Sequence, residues 1–235
     1  KRGGSVCRRK GYCRMKKSFI VIGLGRFGLS VAKALSSLNC DILCMDVNEE
    51  SVQDAVMEID NCVIADATKL SALKEAGAAS IDHAVVAIGN NLEASILTTL
   101  NLQVLGVKNI TVRADSNKYI EMYQKLGATE VIVPEEMSAV SLANQIASDA
   151  ILDYYSVDTQ YAIVKILLGN NFVSKSLIDM DLRNRFDVNI VGIIRNKEFY
   201  IPRGTDFLQP KDIVVLVGTK PKIRKVDTFL NQESK

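Results

Sequence analysis

Gly23, Gly25 and Gly28 follow a short apolar run, Ser18-Phe19-Ile20-Val21-Ile22, and lead into a stretch with helical periodicity. Glycines at that spacing between a strand and a helix are suited to holding a polyphosphate. The first permits a tight turn, the second lets backbone approach phosphate, and the third lets the helix pack on the strand. The helix N-terminus then offers free N–H groups to an anion. Asp46 closes the next apolar run, Ile42-Leu43-Cys44-Met45, where a carboxylate can accept ribose hydroxyls. An acid there argues against a 2′-phosphate and leaves NAD/NADH or an adenine nucleotide, ATP or ADP. Arg26 is the misfit, because a cation in a helix first turn opposes the dipole at a cost of about 0.3–1 kcal/mol. A bound polyphosphate, its own or a neighbour's, would reverse that sign; an arginine extended into water is the plain alternative.

The other candidates are ranked by the rule that ligands of an open parallel sheet bind beyond the carboxyl ends of its strands. Leu24 and Phe27 lie inside the glycine turn, and Asp66-Ala67-Thr68, Ile88-Gly89-Asn90 and Arg113 fall at or just past strand ends on the same edge. Asp66 and Thr68 either contact the adenosine or cap the next helix. Gly89 and Asn90 either line a phosphate or sugar or make a bare turn. Arg113 would be costly to bury unpaired, so a ligand phosphate or a carboxylate such as Asp115 or Glu135 should face it, unless it forms an exposed salt bridge.

Catalytic groups are scarce. His83 is the single histidine, and it begins the fourth strand, at the amino end of the sheet, where a surface or turn role is expected. No His and Cys constellation with metal-ligand spacing and no GxSxG occurs, so the chain reads as a binding protein and not an enzyme. The rival reading is an NAD-dependent oxidoreductase or redox-sensing protein on the same fold. Five cysteines, Cys7, Cys13, Cys40, Cys44 and Cys62, include no CxxC pair and are odd in number, which fits a reducing compartment. The last three lie in or beside apolar strands and read as core fillers.

The elements that must position these residues alternate. Apolar runs at 18–22, 41–46, 62–65, 83–88, 109–113 and 130–133 are separated by helical patterns near 26–38, 48–58, 69–76, 92–105 and 117–126. Six strands alternating with helices predict an α/β, doubly wound parallel sheet of the Rossmann type. Residues 134–155 predict one long helix, with Met137, Val140, Ala143, Ala147, Ala150, Ile151 and Tyr154 along a stripe that Ala139, Leu142 and Ile146 widen. An apolar face that broad implies a crossover or dimer-forming helix with its hinge. Strands at 161–167, 189–195, 198–201 and 213–217, with helical pieces at 177–185 and 221–231, predict a small α+β domain over 156–235. The nucleotide-binding domain then spans 15–133.

The basic residues 1–14 lack both periodicity and the apolar core of a signal peptide, and read as a disordered leader or vector-derived sequence. Over 235 residues the net charge is only +2, which excludes a nucleic-acid or membrane-coating role. No apolar run approaches the roughly 18 residues needed to span a bilayer, so a membrane role would pass through a partner.

Val21 to Gly28, Asp46, Ala65-Asp66-Ala67-Thr68, Val86-Ala87-Ile88-Gly89 and Pro134-Glu135 together resemble the cytosolic RCK subunits of Ktr/Trk bacterial potassium uptake systems, of the KtrA/KtrC type. The resemblance implies an N-terminal RCK domain followed by a smaller C-terminal one. It further implies homodimers assembling into an octameric ring under a membrane potassium-translocating subunit of the KtrB/TrkH type, in the cytoplasm at the inner face of the membrane. ATP or ADP in the Rossmann site would set the shape of that gating ring, with Arg26 reaching toward the terminal phosphate. Glu135 would help bind a divalent cation near the nucleotide; on the residues alone it is an acid favourably placed in a helix first turn. Cyclic di-AMP would lie between two C-terminal domains, against Ile178, Asp181, Arg183, Asn189, Ile190 and Pro202. The pair Lys211-Asp212 departs from the family's usual Gly-Asp turn.

Overall fold

A computed structural model describes residues 16–232; the stretch 1–14 discussed above lies outside the described residues. The chain divides after Pro134 into two compact units.

The first unit runs β1 (Ser18–Ile22), α1 (Arg26–Ser37), β2 (Asp41–Asp46), α2 (Glu49–Val56), β3 (Cys62–Ile64), α3 (Leu70–Glu75), β4 (His83–Val86), α4 (Leu92–Val104), β5 (Ile110–Arg113), α5 (Ile120–Lys125) and β6 (Glu130–Ile132). All six strands are parallel, in the order β3-β2-β1-β4-β5-β6. A sheet covered by helices on both faces needs apolar residues on both, and β1 shows it. Ile20 and Ile22 join the core that holds Leu73, Leu102 and Ile110, while Val21 joins the opposite core with Ala32 and Val52. The strand order reverses between β1 and β4, so the crevice beyond their carboxyl ends is where a ligand belongs. Local punctuation holds the joints. The Asn48 side chain accepts from the Ser51 amide at 2.9 Å and caps α2, with Glu49 and Glu50 in its first turn. Gly77, Gly106 and Gly127 end helical segments at positive φ.

The second unit takes up α6 (Pro134–Ile146) from its second residue, followed by β7 (Ile151–Ser156), β8 (Tyr161–Leu167), β9 (Lys175–Ser176), α7 (Leu177–Met180), α8 (Leu182–Phe186), β10 (Asn189–Arg195), β11 (Glu198–Tyr200), β12 (Phe207–Leu208), β13 (Ile213–Thr219) and α9 (Lys220–Gln232). Five antiparallel strands, ordered β11-β10-β13-β8-β7, form the main sheet, and β12 pairs with β9 separately. The core lies around Val164, Ile166, Ile193 and Leu216, against Ile223, Val226 and Leu230 of α9. Between β10 and β11, Asn196 and Lys197 both take positive φ, 53° and 68°, as a two-residue type I′ hairpin turn requires.

The long helix expected over 134–155 is corrected. It stops at Ile146, and 151–156 is a strand paired with β8. A bulge between Ile151 and Asp153 breaks the two-residue alternation, so the buried residues are Ile151 and Tyr154, three apart, a spacing that mimics a helix. The helical piece expected over 177–185 is likewise two short helices, interrupted at Asp181 with φ 45°.

Candidate nucleotide site

The turn between β1 and α1 is built by glycines with separate duties. Gly23 has φ +94°, and a Cβ there would lie 2.9 Å from the Ala87 carbonyl carbon, so β1 and β4 close onto each other through it. A Cβ on Gly28 would overlap the Gly23 carbonyl oxygen, and α1 packs on β1 through that contact. Gly25 differs, since a Cβ there would meet nothing within 4 Å. It is also the N-cap of α1, and no side chain accepts a hydrogen bond from the first turn. The start of α1 therefore has no side-chain cap and open space beside its N-cap, where a helix N-terminus can take an anion.

Asp46 ends β2 beside this turn. One carboxylate oxygen accepts from the Leu24 amide at 2.5 Å and the other from the Asn48 amide at 2.8 Å. The carboxylate thus fixes the glycine turn and keeps spare lone pairs for further donors such as hydroxyls. Arg26 is exposed in the first turn of α1, and among the described residues no hydrogen bond or ion pair engages its guanidinium. Phe27, half-buried, follows it.

Across the crevice, Arg113 ends β5 with its side chain only 15% exposed and Nη1 3.3 Å from Asp115 Oδ1. Its guanidinium lies over Gly89, where a Cβ would overlap it. Gly89 is thereby explained: it clears the path by which Arg113 reaches the end of β4. Asp115, one of the carboxylates proposed to face Arg113, pairs with it. Ile88 is half-buried and Asn90 exposed in the same loop, whose Asn91 caps α4 by accepting from the Ala94 amide at 3.0 Å.

The segment after β3 is less committed to a ligand. Asp66 Oδ1 accepts from the Thr68 amide at 3.0 Å and the Thr68 hydroxyl at 2.6 Å, and Lys69 lies 3.5 Å from Oδ2. Hydrogen bonds from Thr68 hold the Asp66 carboxyl below its ordinary range. Ala67 is buried behind them. Asp66 and Thr68 thus close a local turn, and the expected capping of the next helix is corrected: the N-cap of α3 is Lys69, with no side-chain hydrogen bond. Sequence reasoning missed Asn101, whose side-chain amide donates to the carbonyls of Ala67 and Thr68 at 3.2 and 2.9 Å and fastens this loop to α4. The only signal was an amide side chain between Leu100 and Leu102.

His83 lies at the opposite edge, as its place at the start of β4 requires. Its Nε2 is 2.8 Å from Thr111 Oγ1, which donates to Glu130 at 3.2 Å, and its ring stacks on Phe19. Burial lowers its pKa, with Glu130 opposing and Lys17 assisting.

Glu135 is exposed in the first turn of α6. Among the described residues no group of three or more His, Cys, Asp and Glu gathers to hold a metal.

In the second unit the candidate residues fall in two places. Ile178, 63% exposed, donates its amide to the Gly204 carbonyl at 3.0 Å, in the loop that carries Pro202. Asp181 joins α7 to α8 and accepts from Asn184, while Arg183 is exposed on α8. Asn189 and Ile190 start β10, registered with Val217 and Leu216. Lys211 takes φ 69°, the left-handed position a glycine would favour. Asp212 beside it is 1% exposed and receives Arg195 through both oxygens at 2.7 Å, plus the Gln209 amide at 2.8 Å. The departure from Gly-Asp therefore keeps the turn and its buried aspartate. That Arg195–Asp212 pair also escaped sequence reasoning, one partner lying at the end of β10 and the other in the turn before β13.

The TrkA-N domain family matches residues 19–134 and the TrkA-C domain family residues 161–231. Ktr system potassium uptake protein C of Bacillus subtilis (strain 168) is 38% identical over 214 residues, 91% of this chain and 97% of that protein. Ktr system potassium uptake protein A of the same organism is 34% identical over 212 residues, 90% and 96% of the two chains. Among solved structures, the GsuK RCK domain aligns with a TM-score of 0.63 at 15% identity, over 93% of this chain and 48% of that one. The GsuK channel bound to NAD aligns with a TM-score of 0.64 at 15% identity, over 93% and 40%. At that identity the likeness is one of fold.

Proposed function

The chain belongs to the TrkA-N/TrkA-C family of Ktr and Trk potassium uptake proteins, and from that premise we propose that it is a nucleotide-sensing subunit that gates a membrane potassium-translocating partner. Its Ktr relatives are potassium uptake proteins, not enzymes. The observation that carries the sensing role is the uncapped start of α1, where Gly25 faces empty space beside a carboxylate already held in place.

In this reading the amides of Leu24 to Gly28 hold the phosphates and Asp46 the ribose. Arg113, above Gly89, supplies a second cation at the crevice, and Ile88 and Asn90 line it. Asp66, Ala67 and Thr68 shape the adenosine side. Arg26, with no partner of its own among the described residues, is free to count phosphates. ATP and ADP are the favoured ligands, and NAD(H) fits the same acidic Asp46. Glu135 is the candidate ligand for a divalent cation. Cyclic di-AMP would require two second units, with Ile178, Asp181, Arg183, Asn189, Ile190 and Pro202 contributed by each.

Gating then follows from differential affinity: a nucleotide that binds one ring shape more tightly shifts the population toward it by that difference. The subunit would act in the cytosol, dimerising through α6 and assembling into an octameric ring against a KtrB/TrkH-type partner.

Calorimetric titration with ATP, ADP, NADH and NADP tests the site. ATP and ADP should bind in preference to NADP, and Arg26→Ala should narrow the ATP-to-ADP ratio by about tenfold, the worth of one charged hydrogen bond. An unchanged ratio removes the role of Arg26, and a chain that binds none of the four overturns the sensing role.

A further inference from the structure

Cys44 and Cys62 face each other at one rim of the first unit's sheet. They are registered partners in the β2–β3 pair, so their side chains leave the sheet on the same face. Both pack on the core around Val21 and Ala32. Both are free thiols, Cys44 fully buried and Cys62 partly exposed. Neighbouring strands run about 4.8 Å apart, inside the roughly 4.4–6.8 Å range of Cα separations that a disulfide spans. β3 ends the sheet, so a reagent can reach Cys62 from the rim, whereas Cys44 is reached through Cys62.

We propose that Cys44 and Cys62 are a convertible dithiol, a modification site that a small-molecule disulfide oxidises to a cross-link between β2 and β3. The Cys62 thiolate attacks one sulfur of the small disulfide, that S–S bond breaks, and one small thiol leaves with the proton Cys62 gave up. The Cys44 sulfur then attacks the Cys62 sulfur and expels the second small thiol, which carries off the Cys44 proton. Two protein thiols lose two electrons and two protons, and the small disulfide gains them.

The cross-link would close the loop that carries α2 and tie the rim to β2 two residues before Asp46. Burial, then the neighbouring Cys62, pushes the Cys44 thiol up to about 12. Burial also raises Cys62, with Asp60 adding to the effect and Cys44 opposing it by a hydrogen bond. Cys40 packs against the same core. With both thiols raised the pair is quiescent at neutral pH, and its oxidation should quicken as pH rises, by up to about tenfold per unit, following the thiolate fraction.

The test is to incubate the full chain with oxidised glutathione across a pH series, quench by alkylation, and map unreduced peptides by mass spectrometry. A Cys44–Cys62 peptide lacking two hydrogens should form, faster as pH rises. Cys44→Ala should instead leave Cys62 as a lasting glutathione mixed disulfide, and Cys62→Ser should leave Cys44 unmodified. A lasting mixed disulfide on Cys62 in the unaltered chain would overturn the proposal. So would links to Cys7, Cys13 or Cys40 in place of Cys44, or no reaction at the highest pH that preserves native circular dichroism. Equal cross-linking in urea would overturn it too, since the strand register would then play no part.

Discussion

A Cβ at position 28 would drive into the Gly23 carbonyl oxygen, whereas one at position 25 would meet open space. The two glycines should therefore fail differently. Gly28→Ala overpacks the contact between α1 and β1 and should lower the unfolding free energy by about 1–3 kcal/mol, read from a urea melt. Gly25→Ala, at φ −63° and ψ −179°, should unfold within about 0.5 kcal/mol of the unaltered chain while losing nucleotide affinity in calorimetry. His83 gives a pH signature at the same scale. Its folded pKa lies below the ordinary 6.5 because it is buried, so the unfolded chain takes up the proton first. The stability it allows is fully present above that value and is lost as pH falls below it, down to the folded pKa. Urea midpoints should decline as pH falls below 6.5, and His83→Gln should flatten the decline. An unaltered slope would remove His83 as its source.

Among the elements, the turn before β13 holds Lys211 at φ 69°, a conformation that costs a residue with a Cβ about 1–2 kcal/mol. Lys211→Gly should raise stability by up to about 1 kcal/mol once the entropy glycine loses is subtracted. A lower melting temperature would place the cost elsewhere. The parallel sheet was legible in the sequence because β1, β2 and β4 are buried on both faces and appear as unbroken apolar runs. The site's edge was legible for the same reason, since each run marks its own carboxyl end. β7 was not legible, because its bulge replaced a period of two with a spacing of three. β9 and β12, two residues each, are too short to carry any period. Asn101 and Asp212 went unread because what they hold lies far along the chain.

At the scale of the whole molecule, α6 has no buried residue, and Met137, Val140, Leu142 and Ile146 are 66%, 50%, 56% and 76% exposed. Helical spacing sets Met137 and Val140 on one side and Leu142 and Ile146 on the other, so partners on both sides would be needed to cover them. In light scattering the unaltered chain should be a dimer or larger, and Val140→Glu together with Ile146→Glu should give monomers; dimers that persist would move the interface off α6. Such an assembly gives the open space at Gly25 a use of another kind. Because the fold makes no demand on that position, Gly25→Ala should yield a subunit that accumulates and assembles normally yet is deaf to nucleotide. Mixed with unaltered chains in graded ratios, it would serve as a counting device: the curve of response against dose would reveal how many hearing subunits one assembly needs before it answers.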